Sequence, residues 1–355
     1  MYKRQTSGSE EVCACYLSSI VQSAFGIEEA ILSWNVKATG ESGAYFEIRV
    51  RDDHTRSWGP WLFMGEAARL GHRDQEPRVK VGSRMKVDVD VLSDTSWFRD
   101  AQIRVGLRAR NGGKVEVKRV DLTRSLAFAK VAVQARRNAV LEPDWKKWDL
   151  PESIDLQAPF LSQATPEPAL SGRLCSPAST AMAVAWAQGI TAQAARDSGL
   201  VYELTKRVHD SRHDLYGNWP RNTQGAFESG VEGKVIRFGS VIDVYRVLAG
   251  GGIVVASIMA KPGELSGAPY SDTQGHLIVI NGYNQYGDFL VLDPAATDAE
   301  GGTLVYSKKD MAVVWLKNRR GTAYLFWKPG TKDPSAELNE SSSWSNVLSE
   351  RKDVQ

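Results

Sequence analysis

The chain has 355 residues, 42% hydrophobic and 24% charged, with 44 basic and 42 acidic residues and a formal net charge of +2. That length predicts two domains, and the near balance of charge argues against a nucleic-acid partner, whose binders carry a basic excess on one face. Three cysteines, Cys13, Cys15 and Cys175, make no disulfide framework, and no segment has the roughly 18 apolar residues that a transmembrane helix needs.

Taken in chain order, residues 1–26 read as a leader or disordered segment. The apolar run from Val12 to Ile27 is interrupted by Ser18, Ser19, Gln22 and Ser23, and its flank, Glu10-Glu11, is acidic where a secretory signal is basic. Cys13 and Cys15 have no histidine or cysteine at ligand spacing, which removes a zinc site. Residues 27–130 read as a β-sandwich domain. Period-2 alternation marks strands at Tyr45–Arg51, Lys86–Val91, Ala101–Arg108 and Val115–Val120, and Asn111-Gly112-Gly113 is a hairpin signal. Residues 131–149 read as a linker.

Residues 150–328 read as a second domain of α+β class. Pro151–Leu170 is extended and broken by prolines; Pro177–Gln188 is an Ala-rich helix; Ala192–Asp210 is helical. Asp243–Ala249 is a short helix stopped by Gly250-Gly251-Gly252. Strands follow at Ile253–Ile258, Leu277–Tyr283, Phe289–Leu292 and Tyr324–Trp327, the second and third joined by the turn-forming run Asn284–Asp288. Helix first and antiparallel strands after give α+β. Residues 329–355 read as a flexible tail with one helical turn around Trp344–Leu348.

The chemistry concentrates in the second domain. Pro177 suits the first helical position, so Cys175 stands just before the first turn. There the helix dipole and open N–H groups favour the thiolate, the nucleophilic form. The plain alternative is a small buried cysteine under a helix. Of five histidines, His54 and His72 fall in the β-rich region. His209 and His213 have the i, i+4 spacing of helical metal ligands, but no glutamate lies between them, and a solvated face fits them better. His276 follows Gly275 and begins an apolar strand, Leu277-Ile278-Val279-Ile280; the next strand ends at Leu292-Asp293-Pro294. A hairpin brings His276 across from Asp293, which can then hold the ring nitrogen that faces away from a thiol. A nucleophile, a base and an orienting acid follow in the order Cys175, His276, Asp293. The Cys175 N–H supplies one oxyanion donor, and a side-chain amide upstream, Gln163 before Gln157, supplies the second. Trp219 and Ser176 are candidate substrate contacts.

These residues carry a resemblance. Gln163, Cys175-Ser176-Pro177-Ala178-Ser179 opening a helix, Gly275-His276-Leu277-Ile278-Val279, Asn281-Gly282-Tyr283 and Leu292-Asp293-Pro294-Ala295 resemble the double-glycine-leader-peptidase-like branch of papain-like cysteine peptidases. Gly217-Asn218-Trp219-Pro220 is similar to a stretch of its bacterial members. Ser33-Trp34-Asn35, Arg49-Val50-Arg51 and Trp58-Gly59-Pro60-Trp61 resemble the domain that precedes the peptidase in secreted bacterial members. The resemblance implies a papain-like fold, thiol-dependent cleavage of peptide amides, no metal or other cofactor, the roles given above, and a secreted or cell-surface location. Many relatives have glycine directly after the nucleophile; here it is Ser176.

Two other functions use the same residues differently. An acyltransferase shares the first half-reaction and passes the acyl group to an amine. A binding protein uses Trp34, Trp58, Trp61 and Trp97 of the β-rich domain to hold a carbohydrate or surface ligand, with an inert second domain; strand tryptophans are more often core.

Overall fold

Alternation of apolar and charged residues builds an all-β N-terminal unit. The protein is described by a computed structural model covering residues 2–6, 9–68, 85–126, 144–338 and 345–347. It divides into Met1–Ala127 with Asn346–Gln355, and Phe128–Ser345. In the first unit the strands are β1 (Tyr2–Thr6), β2 (Ser9–Leu17), β3 (Val21–Asp52), β4 (Leu62–Ala68), β5 (Met85–Asp88) and β6 (Val91–Leu126). All pairs are antiparallel, in the order β1-β2-β6-β3-β4 with β5 also on β6. Asn111 (φ 50°) and Gly112 (φ 75°) have left-handed backbone where a hairpin was expected, but the residues on either side both pair with β3, whose ladder only shifts register between Thr39 and Glu41, so the hairpin does not form. Phe46, Ile48 and Val50 point into the core. Glu47, Arg49 and Arg51 take the opposite face and bond Arg104, Gln102 and Asp100 on the neighbouring strand.

Two expectations change here. Residues 1–26, read as leader or disordered, supply β1, β2 and the start of β3. The pairing of β3 with β6 runs on through both halves, which share one core. The strand expected at 86–91 is broken by a turn at Val89-Asp90, where Val89 has φ 56°. His72 and residues 127–143, most of the expected linker, lie outside the described residues.

The second unit is mixed α and β. Its sheet has the order β12-β11-β10-β9-β13-β8 with β7 on β10, every pair antiparallel. The strands are β7 (Ile154–Asp155), β8 (Gly233–Arg237), β9 (Gly252–Ala260), β10 (Thr273–Tyr283), β11 (Phe289–Leu292), β12 (Thr303–Tyr306) and β13 (Thr322–Trp327). A short helix, α1 (Trp145–Trp148), opens the unit. Trp145 stacks on Tyr283 at 5.0 Å, so residues 144–149 belong to the domain and not to a linker.

Helix α2 (Cys175–Gln188) is buried from Ser176 to Ala187. Ala-rich and apolar on all sides, it suits an interior position. The helix expected over 192–210 divides into α3 (Ala192–Asp197) and α4 (Leu200–Val208), because Gly199 adopts φ 64° between them. Two further helices are α5 (Trp219–Glu228), capped by Asn218, and α6 (Val241–Ala249), capped by Ser240. Short helices α7 (Ala299–Gly302) and α8 (Lys308–Met311) flank β12, and a π-helical turn spans Ala312–Lys317.

The chain after 328 is not a free tail at its start. Lys234 Nζ bonds Asp333 at 2.8 Å, and Ser335 is buried. Around 344–348 a strand, β14 (Ser345–Val347), replaces the expected helical turn; 339–344 and 348–355 lie outside the described residues.

One glycine locks the entry segment onto the sheet. A Cβ on Gly282 would lie 1.9 Å from the Ile154 carbonyl oxygen. The ladder between β10 and β11 shifts at Asn281, whose side chain donates to Asp155 at 2.6 Å and accepts from Ala158 N–H at 2.8 Å. Gly282→Ala is expected to cost about 1–3 kcal/mol by overpacking, seen as a lower urea midpoint. An unchanged midpoint would mean that β7 gives way at no cost.

Candidate active site

The site begins at the first turn of α2. The helix starts at Cys175, with Leu174 as N-cap, two residues earlier than Pro177 suggests. Its N–H therefore belongs to the first turn, where no intrahelical acceptor exists. Three hydroxyls fix this turn in three directions. Ser176 Oγ lies 2.8 Å from Tyr324 OH, Ser179 Oγ donates to Leu277 O at 3.0 Å, and Thr180 Oγ1 donates to Asn222 Oδ1 at 3.2 Å. Ser176 is fully buried and bonded to β13, so the expectation that it touches substrate fails: its hydroxyl faces the sheet.

His276 lies inside β10, which begins at Thr273, and not at its end. The β10–β11 register pairs Val279 with Leu292, which carries Asp293 toward His276. His276 Nε2 bonds Asp293 Oδ1 at 2.7 Å, with the two residues 6% and 0% exposed. Cys175 lies close enough to His276 and to the backbone N–H groups of Leu277 and Ser176 for each of them to act on its thiol. Cys175 itself is partly exposed.

Burial pushes the Cys175 thiol up, but the hydrogen bond and charge of His276, with the two backbone N–H groups, bring it below its ordinary value. Burial pushes the His276 imidazole down, yet its bonds to Asp293 and Cys175 raise it to about 9. Burial likewise pushes Asp293 up, while His276, the Ala295 N–H and Tyr270 bring it below the usual carboxylate range. All three shifts run in the direction that favours the charged form of the group.

Asp293 has further partners that the sequence did not disclose. Its Oδ1 also accepts from Ala295 N–H at 3.0 Å, and its Oδ2 accepts from Tyr270 OH and Tyr306 OH, each at 2.9 Å. Tyr270 adds a ring contact, edge-on to His276 at 5.1 Å and 75°.

The two amide candidates separate. Gln157 Nε2 bonds Asp155 within its own turn, so it is committed locally. Gln163 lies on the segment that crosses to the 293–296 turn: its N–H donates to Pro294 O at 2.9 Å, and Ser162 Oγ donates to Ala296 O at 2.6 Å. The Gln163 Oε1 is buried with no hydrogen-bond partner, so the carbonyl end of the amide is enclosed without being satisfied there.

Trp219 opens α5 and is partly exposed. The Arg319 guanidinium stands 6.0 Å from its ring and donates through Nε to Ser257 Oγ at 3.2 Å. A Cβ on Gly275 would lie 3.5 Å from Arg319 Nη2, so this pair flanks the strand just before His276. Arg319 carries no motif and was not visible in the sequence.

The remaining candidates stand apart. His209 and His213 follow the end of α4 and sit on no common helix. His209 Nε2 bonds Asp214 at 3.1 Å and His213 Nδ1 bonds Asp210 at 3.2 Å. In the N-terminal unit Trp34 is buried and stacks on Phe46 at 4.3 Å, which removes it from any ligand platform. Trp58 and Trp61 are covered by guanidinium groups: Arg49 lies 4.8 and 4.7 Å from their rings, and Arg104 lies 4.5 Å from Trp61. Trp97 remains half-exposed.

A partly exposed cysteine at a helix start, beside a histidine that a buried aspartate holds, is an arrangement suited to a cysteine hydrolase. Comparison with known families agrees: residues 155–323 match the Peptidase_C39 like family, and residues 4–125 match the Peptidase C39 N-terminal domain, of actinobacterial type. The chain belongs to this family of cysteine peptidases and carries the family's N-terminal domain. No curated protein and no solved structure gives a match. No described helix is long and apolar enough to cross a membrane.

Proposed function

We propose that the second unit is a papain-like cysteine peptidase that cleaves peptide amides through a covalent acyl-enzyme. The observation that carries this reading is the buried 2.7 Å bond from His276 to Asp293, on the ring opposite the nitrogen that meets Cys175. The Cys175 thiolate attacks the peptide carbonyl carbon. The new C–S bond forms as the carbonyl electrons move to oxygen, and the Cys175 N–H with the Gln163 amide receives that charge. His276 passes its proton to the leaving amine, the C–N bond breaks, and a thioester remains. Water then attacks the thioester; His276 takes its proton, and the carboxylic acid and the thiolate–imidazolium pair are released. Trp219 forms one wall of the cleft.

The test is peptide-library digestion followed by mass spectrometry, with the wild type beside Cys175→Ala. The expected result is a set of cleavage products present only with the wild type and a thioester-linked fragment on Cys175. The same products with Cys175→Ala would overturn the reading. Products joined to an added amine, in place of free carboxylic acids, would favour acyl transfer over hydrolysis.

A further inference from the structure

A buried aspartate that orients a histidine needs only one oxygen for that work, yet here both oxygens are filled. Oδ1 takes His276 Nε2 at 2.7 Å and the Ala295 N–H at 3.0 Å; Oδ2 takes Tyr270 OH and Tyr306 OH, each at 2.9 Å. A carboxylate has about four acceptor sites, so this one is saturated, and rotation about its Cβ–Cγ bond would break several bonds at once. The four donors come from separate parts of the chain: β10, the turn after β11, the loop before β10, and the last residue of β12. We propose that Tyr270 and Tyr306 are positioning residues of the site, their hydroxyls clamping Oδ2 of Asp293 so that Oδ1 stays aimed at His276.

Several observations support a purpose beyond packing. Both rings lie at the core of the second unit, Tyr306 fully buried and Tyr270 packed against it. Phenylalanine would fill either place, and a hydroxyl buried there needs a partner to be tolerated. Both hydroxyls spend that bond on the same oxygen. Burial, and then the charge of Asp293, push both phenols far above their ordinary value, so each stays a donor at any working pH. Tyr270 also sets its ring edge-on to His276, so one side chain restrains both members of the pair. Its loop is anchored: Leu265 is buried, Ser266 N–H donates to Asp310 at 3.2 Å, and Glu264 accepts from Lys261 N–H and Asn318, each at 3.0 Å.

The consequence is read in pH. Among the described residues, the titratable groups bonded to Asp293 are His276, Tyr270 and Tyr306, with Cys175 beyond His276. Two donors lost from Oδ2 let Asp293 take a proton at higher pH. Once protonated it no longer supports the imidazolium, and the thiolate is lost with it. The acid limb of thiol reactivity therefore moves up; the alkaline side carries no such signal, because loss of the His276 proton leaves the thiolate in place.

This inference rests on the peptidase reading for its purpose but can be tested apart from it. The experiment is the rate of Cys175 alkylation by iodoacetamide across pH 4 to 9, on the full chain as wild type, Tyr270→Phe, Tyr306→Phe and the double variant. Tyr245→Phe serves as control; it removes a buried hydroxyl that bonds Gly287 O at 2.7 Å, outside the site. The expected result is an acid limb raised by about one pH unit or more in the double variant, raised less in each single variant, and unmoved in the control. Limbs that superimpose on the wild type, with only a lower melting temperature, would overturn the clamp. Should the double variant fail to fold, the single variants decide by the same criterion. An activated wild-type thiol that cleaves no peptide would count against the peptidase reading and leave the clamp standing; cleavage with unmoved limbs would do the reverse.

Discussion

His276→Ala is expected to lower kcat/KM for peptide cleavage by about 10³-fold or more. Two losses combine. The imidazole that protonates the leaving amine is gone, and so is the charge that holds Cys175 as a thiolate. Burial alone would push the thiol up, and His276 is the largest influence acting against it. Without His276 the thiol should sit at or above the roughly 8.5 of an ordinary cysteine, and alkylation near pH 6 should slow in parallel with cleavage. In the wild type the activity should be bell-shaped: the acid limb below the ordinary thiol range follows Cys175, and the alkaline limb follows His276, near 9. His54→Ala, in an exposed turn of the N-terminal unit, should leave both limbs in place. Alkylation of His276→Ala that matches the wild type at pH 6 would show that the helix terminus alone activates the thiol, and the role of His276 would fall.

Asp293→Ala is expected to cost about 3–5 kcal/mol of stability, since it removes one partner of a buried pair and leaves the other charge uncompensated. His276 is nearly as buried as Asp293, and the Tyr270 and Tyr306 hydroxyls would lose their acceptor at the same time. The pH dependence has a definite sign. The folded pKa of His276 is raised from 6.5 to about 9, so its contribution is fully present below 6.5 and lost as pH rises through 9. The Asp293 carboxyl is lowered in the folded state, so its contribution is present above the unfolded value near 3.9 and lost as pH falls through the folded one. Urea midpoints from pH 3 to 10 should show the wild type falling between pH 6.5 and 9, with Asp293→Ala lower throughout and nearly flat over that interval. A parallel fall in both proteins would place the alkaline loss outside the His276–Asp293 pair. Asp293→Asn, which keeps the shape but meets the Tyr hydroxyls with an amide, should lie between the two.

The local pattern carried a good part of the fold. Phe289–Leu292 is a strand with the bounds expected from its apolar run, and Asn284–Asp288 is the turn before it. That hairpin is why His276 and Asp293 could be paired in advance: register between adjacent strands follows from turn length and period, both local quantities. Strand β8, Gly-Lys-Val-Ile-Arg, was not legible, since no alternation or turn signal along the chain marks it. Lys234 is buried against Asp333 and Arg237 against Thr322, partners 99 and 85 residues away. Helix α5 holds Asn222, Thr223 and Gly225, weak helix formers that only packing against α4 and β8 sustains. The first strands were missed because β2 depends on pairing with β6, some ninety residues later.

The sequence by itself determined the residue types of the site, their order, and the elements that carry three of them: Cys175 opening an Ala-rich helix, and His276 and Asp293 on neighbouring strands. These follow from short-range rules of capping, period and turn chemistry. Only the tertiary structure decided which way each side chain faces and what surrounds it. It turned Ser176 toward Tyr324, tied Gln157 to Asp155 while leaving the Gln163 Oε1 without a partner, and brought Tyr270 and Tyr306 together on one oxygen of Asp293. The reason is physical: a hydrogen bond between residues far apart in the chain depends on how the sheet layers and loops pack, and no period or spacing along the chain records that distance.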